Sequence, residues 1–192
     1  MEPKPIYEKK KPLWKNKRFT TSLMGGFIIM IMVTSILGLW AEQKGEDKYE
    51  YKGIKFVKTD YGWLGYKDNQ RITLLNNPKE LENISIGYVP IYTLNSLSKV
   101  YMSLDYNEEV LRAMQLFEQN IKISTTTVQA CVKDTPRCAQ MPLKNCDDAT
   151  QTVGVVVIQK ANETEVSLKN NCLKIQGSEL TKLVDKLVLT QL

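Results

Sequence analysis

VYMSLDYNEEVLRAMQLFEQNIKISTTTVQAC, residues 100–131, carries the two periodicities that decide the fold class. Val100–Leu104 is a short apolar run of strand length. Asp105 followed by Glu108 fits a D-x-x-E capping pattern, so a helix should begin there. Val110, Met114, Phe117 and Ile121 then recur at helical spacing and give that helix one apolar face. Ile123–Cys131 is rich in β-branched residues and reads as a second strand. Strand, helix and strand over about thirty residues predict a βαβ unit, two parallel strands joined by a right-handed crossover.

Working outward toward the C-terminus, Thr135-Pro136 and Met141-Pro142 keep Val132–Thr150 irregular. Val153–Gln159, with four consecutive β-branched residues, is the pattern of a buried strand. Lys160–Glu163 reads as a turn and Glu165–Ile175 as the hairpin partner. Gly177-Ser178 should end that strand and cap a final helix. In that helix Leu180, Leu183, Val184, Leu187 and Val188 fall at i, i+3, i+4, i+7, i+8. Working outward the other way, Tyr49–Lys58, Trp63–Lys67 and Arg71–Leu75 are separated by the turns Asp60-Tyr61-Gly62 and Asp68-Asn69, which predicts an antiparallel meander. Asn77 before Pro78 predicts a capped helical turn over Pro78–Glu82, and the alternation of Ile84, Ile86 and Tyr88 predicts a further strand before Pro90. The expected fold is α+β, or α/β, with a mixed β-sheet, one βα(β) unit and a C-terminal amphipathic helix.

The N-terminal flank is of a different kind. Phe19–Ala41, FTTSLMGGFIIMIMVTSILGLWA, is 23 residues without a charge, long enough to cross the ~30 Å hydrocarbon core of a bilayer as one helix. A cleaved signal would need small residues at A-x-A positions, and Leu39 is too large for the outer one. Seven bases and two acids lie in residues 1–18, whereas Glu42–Glu50 is mostly acidic. Positive charge stays inside, so the sequence predicts a cytoplasmic N-terminus, a single-pass anchor and an extracytoplasmic domain at the cell membrane. Trp14 and Trp40 bracket the span, as aromatic rings do at headgroups. Ser22 with Gly26, and Thr34 with Gly38, present small residues four apart that could support a homo-oligomer through the helix. The expected organisation is a basic tail over 1–18, a transmembrane helix over 19–41, a linker over 42–48 and one domain over 49–192.

The charge follows this division. Of 26 bases and 21 acids in the chain, residues 19–192 keep 19 of each. The net +5 therefore belongs to the tail and points to anionic headgroups, not to nucleic acid. The chain has no histidine. Ser-His-Asp and Cys-His pairs, His-ligated zinc and the usual general base near neutral pH are thereby excluded. Phosphate-cradling Gly-rich loops and a G-x-S-x-G elbow are also absent, and no cofactor is expected.

Cys131, Cys138, Cys146 and Cys172 are spaced too widely for a four-Cys zinc site and contain no C-x-x-C. Outside the cytoplasm an even count means disulfides. Of the three connectivities, Cys131–Cys138 with Cys146–Cys172 is favoured: the first closes a loop around Pro136, and the second staples the irregular segment to the following strand. Asp147 and Asp148, with Asp105 at a strand end, are candidate metal ligands or an acid–base pair. Adjacent side chains on a strand point apart, so a simple capping role competes with that reading. Asn83-Ile84-Ser85 and Asn162-Glu163-Thr164 are glycosylation sequons, both on the side expected to be external.

YEYKGIKF (49–56), NPKELENI (77–84), VYMSLD (100–105), NCDDA (145–149) and NNCLKIQG (170–177), followed by the amphipathic helix, together resemble a group of uncharacterised membrane-anchored archaeal proteins over about residues 48–192. The resemblance implies a membrane anchor and carries over no functional residue. The functional expectation is a non-catalytic binding or envelope-assembly subunit whose partners are the membrane and other membrane or surface proteins. A metal-dependent hydrolase using Asp105, Asp147 and Asp148, or a thiol-redox protein, are the alternatives.

Overall fold

A computed structural model describes residues 17–42 and 48–192. They belong to two separate units, 1–46 and 47–192. The first contains one helix, α1 (Lys17–Glu42), of 26 residues. Its described apolar side chains, from Met24 to Ile36, are all exposed, between 48% and 71%. Thr34 and Ser35 donate their hydroxyls back to the carbonyls of Met30 and Ile31, four residues earlier. Among the described residues no helix is long and apolar enough to cross a membrane. Residues 1–16 of the tail, with Trp14, residues 43–47 of the linker and the side chain of Trp40 lie outside the described residues, while Lys17, Arg18 and Glu42 belong to α1 and Lys48 to the first strand.

The second unit is α+β with two sheets. β1 (Lys48–Tyr51), β2 (Ile54–Thr59), β3 (Gly62–Lys67) and β4 (Gln70–Leu74) form an antiparallel meander in that order. The expected single strand over Tyr49–Lys58 is in fact a hairpin. Lys52 and Gly53 both take positive φ, 49° and 81°, as a two-residue primed turn requires. Ile54, Phe56, Trp63, Ile72 and Leu74 alternate inward. A Cβ on Gly65 would stand 2.8 Å from the Phe56 ring, so the bare glycine is what lets that ring lie against β3.

After the meander, Asn77 accepts from the Lys79 N–H at 3.0 Å and caps the single turn α2 (Pro78–Leu81). The strand expected over Ile84–Tyr88 is absent. Ile84 and Ile86 pack against the core, but no strand lies beside them to take their backbone groups. A 3-10 turn, Ile91–Ser96, follows.

The second sheet holds β5 (Lys99–Leu104), β6 (Thr126–Cys131), β7 (Val153–Lys160), β8 (Glu165–Lys169) and β9 (Cys172–Gly177), in the order β6-β5-β7-β9-β8. The βαβ expectation holds: β5 and β6 are parallel, joined by α3 (Glu108–Asn120). The cap of α3 is Asn107, whose Oδ1 accepts the Val110 N–H at 3.0 Å, and not Asp105. The expected hairpin of Val153–Gln159 with Glu165–Ile175 is replaced by two strands. β8 turns at Asn170-Asn171, both at positive φ, into β9, which runs parallel to β7. The reversal lies inside the stretch taken as one strand. The final helix, α4 (Leu180–Thr190), buries the expected Leu180, Leu183, Val184, Leu187 and Val188. Its cap position is Glu179, with no side-chain cap. The Leu180 N–H is taken by Glu109 from α3 at 3.2 Å.

Strand alternation separates two cores. Val100, Met102, Leu104, Val156, Ile158, Leu173 and Ile175 meet α3, α4 and the meander in the main core. Val155, Val157 and Cys172 point the other way, under Tyr101, Val132, Cys146 and Ala149. The irregular segment 132–150 therefore roofs one face of the five-stranded sheet.

Candidate functional site

Both expected disulfides are present. Cys131–Cys138 has a Cα separation of 6.1 Å and Cys146–Cys172 one of 5.3 Å. Cys131, Cys138 and Cys172 are buried, and none of the four is free. Between the two bonds, Cys131 donates to Pro142 O and accepts from Lys144 N, each at 2.9 Å. Ser103 donates to Lys144 O. These contacts hold down a segment with too few apolar side chains to bury itself.

The three aspartates are not one site. Tyr101, Val155 and Cys172 lie level across the sheet. Asp147 and Asp148 follow Cys146, which is bonded to Cys172. Asp105 lies four residues past Tyr101, about 13 Å farther along the strands at ~3.3 Å per residue. Asp105 pairs with Lys133 at 3.3 Å. Asp148 accepts from Lys144 at 2.9 Å and from the Asn145 N–H at 2.8 Å, closing a capping box on the 3-10 turn Cys146–Asp148. The Lys144 hydrogen bond, then the Asn145 amide, hold the Asp148 carboxyl below the usual range. Asp147 is exposed. Among the described residues no three acidic or cysteine side chains could hold a metal ion. Asn83 and Asn162 are both exposed, the latter in the turn between β7 and β8, so both sequons are accessible.

Among the described residues, a cleft lies where the meander meets α3. It is open, of about 680 Å³, and is lined by Tyr61, Arg71, Thr73, Leu75, Arg112, Gln115, Leu116 and Gln119. Its walls are held by side chains that close the free edge of β4. Asn120, at the end of α3, accepts the Thr73 N–H at 2.9 Å and donates to Thr73 O at 2.8 Å, copying the pairing of a neighbouring strand. Asp185, buried on α4, takes the Leu75 and Asn76 N–H groups and the Asn76 side-chain amide on Oδ2, at 2.8 to 2.9 Å. Its Oδ1 is buried without a partner. Burial pushes the Asp185 carboxyl up to about 6, against the three donated hydrogen bonds, which pull it down.

Among the described residues, no acidic side chain lines the cleft. Among the described residues Arg71 and Arg112 form no ion pair, whereas Lys133, Lys144, Lys160, Lys174 and Lys182 each do. The sequence reading passed over both arginines. One signal was there: the chain has only four arginines among its 26 bases, and planar guanidinium is the cation suited to fixed recognition of oxyanions.

The fold and cleft define a two-sheet α+β domain with a disulfide-stapled roof and a cationic groove beside an edge strand. Set against family models, curated proteins and solved structures, the chain finds no match.

Proposed function

We propose that the chain is a single-pass membrane protein whose residues 49–192 form an extracytoplasmic, non-catalytic binding or envelope-assembly subunit. The observation that carries the reading is Phe19–Ala41, uncharged throughout. It lies within a 26-residue helix whose described apolar side chains are all exposed. Nine such side chains left in water would forfeit on the order of 10 kcal/mol of burial, and a bilayer removes that cost. The back-bonded hydroxyls of Thr34 and Ser35 suit the same environment, because they leave no donor unsatisfied in hydrocarbon. The basic excess before the helix supports the orientation. Two disulfides suit an oxidising compartment, and the resemblance to membrane-anchored archaeal proteins agrees. The binding role is supported by an open cleft with unpaired cations, in a domain where Asp105 lies apart from Asp147 and Asp148 and where Asp105 and Asp148 are each held by a lysine.

The test is fractionation of the full chain expressed with a C-terminal tag. The expected result is retention in the membrane pellet at alkaline pH, with protease added outside spheroplasts removing the domain. Release by alkali would overturn the anchor. A domain protected until the membrane is broken would overturn the orientation.

A further inference from the structure

We infer that the cleft between β4 and α3 binds an extended acidic segment of a partner protein, with Arg71 and Arg112 each receiving a carboxylate. This deepens the binding reading above and rests on it only for the compartment in which the partner is met.

The charge balance comes first. The domain and anchor together are neutral, but residues 48–75 carry six bases against three acids. The meander therefore carries a net +3 and the rest of residues 19–192 a net −3. Arg71 and Arg112 are exposed, face one cleft, and have no counter-charge in its lining. Two guanidinium groups lining one concave site give it a positive potential that an acidic ligand neutralises.

The shape selects an extended chain over a single compact anion. Asn120 fastens the end of α3 to Thr73. Ile121 shares a neighbouring recess with Gln70 and Arg71, while Arg112, Gln115, Leu116 and Gln119 line the cleft together with Arg71, Thr73 and Leu75. With its end fixed at Thr73, helix α3 carries Arg112 about two turns away from Asn120, whose neighbour Ile121 shares a recess with Arg71. From Arg112 to Gln119 the helix advances about 10 Å at 1.5 Å per residue, the length of about three extended residues. Arginines so placed take two carboxylates several residues apart, whereas one phosphate would need them converged. Between them Thr73, Gln115 and Gln119 offer donors and acceptors for a peptide backbone. Leu75 and Tyr61, 42% and 88% exposed, offer apolar contact.

The test uses the full chain in a non-ionic detergent and a fluorescent octa-glutamate peptide, with octa-glutamine as control, read by anisotropy at low and physiological salt. Saturable binding of octa-glutamate alone is expected, weakening as salt rises. Loss of two exposed charge-assisted pairs should weaken it about tenfold in Arg71→Gln/Arg112→Gln, and more in Arg71→Glu/Arg112→Glu. Both side chains are exposed, so melting of the variants should match the parent, and the milder pair keeps the comparison valid if the reversal impairs folding. Binding that is absent, or unchanged in the Gln pair, overturns the proposal. Displacement of the peptide by inorganic phosphate, or by phosphatidylglycerol vesicles at equal charge, would also overturn it, in favour of a small oxyanion or a lipid surface. The readout needs no bilayer, so its failure leaves the anchoring reading standing, and release of the chain by alkali would leave this one standing.

Discussion

Asp185→Asn should change how the stability of the domain depends on pH. Asp185 is fully buried, its Oδ1 has no partner, and its carboxyl is pushed up to about 6 from 3.8 by loss of solvent. A carboxyl with a raised folded-state pKa binds its proton more tightly in the native state than in the unfolded chain. The proton-linked stability is therefore complete below about pH 4 and is lost as pH rises through about 6. A shift of about 2 units corresponds to roughly 3 kcal/mol. For a domain of this size about 1 kcal/mol moves Tm by ~2 to 4 °C. Asparagine keeps the volume and an oxygen for the Leu75 and Asn76 donors, and it does not titrate. Thermal melts of residues 47–192 between pH 4 and 8 should show the parent losing ~6 to 12 °C relative to Asp185→Asn on going from pH 4 to 7. Glu109, Asp148 and Glu165, whose carboxyls are held low chiefly by hydrogen bonds from Lys160, Lys144 and Ser167 respectively, are common to both proteins and cancel in the difference. Parallel pH profiles for the two proteins would refute the reasoning.

Other expectations concern the staples and the edge of β4. Replacing Cys146 and Cys172 by Ser opens a loop of 26-residue separation, and replacing Cys131 and Cys138 one of 7. Chain entropy values these at about 3.5 and 2.5 kcal/mol, so calorimetry should find the first pair of replacements the more damaging. Asn120→Ala leaves the Thr73 N–H and C=O without their partner and should cost about 1 to 3 kcal/mol in urea unfolding; a neutral effect would mean that water substitutes freely there. Gly154→Ala would set a Cβ 2.7 Å from Leu97 Cδ1 and 3.2 Å from Val100 Cγ2, so its chemical denaturation should show about 1 to 3 kcal/mol of overpacking cost.

Local chemistry carried a large part of this fold in the sequence. The apolar spacing of α3 and α4, the Asn77-Pro78 cap, the β-branched run of β7 and the meander turns are patterns of residues close in the chain, and each appeared where expected. The errors also have local causes. Lys52-Gly53 and Asn170-Asn171 are hairpin turns because two residues in a row accept positive φ. Reading through them merged β1 with β2 and β8 with β9, and turned a parallel β7–β9 pair into a hairpin. The alternation of Ile84 and Ile86 was real, but a strand exists only where a neighbour takes its hydrogen bonds, and none is there. By itself the sequence determined an uncharged helix after a basic tail, an α+β domain, and cysteines spaced for two staples, because periodicity, charge and loop closure act along the chain. Only the tertiary structure decided that Asp105 lies a strand's length from Asp147 and Asp148, that Asp185 is buried against the end of β4, and that Arg71 and Arg112, 41 positions apart in the sequence, share one cleft. Those are meetings of distant residues, and they depend on sheet register and helix placement, which no local pattern encodes.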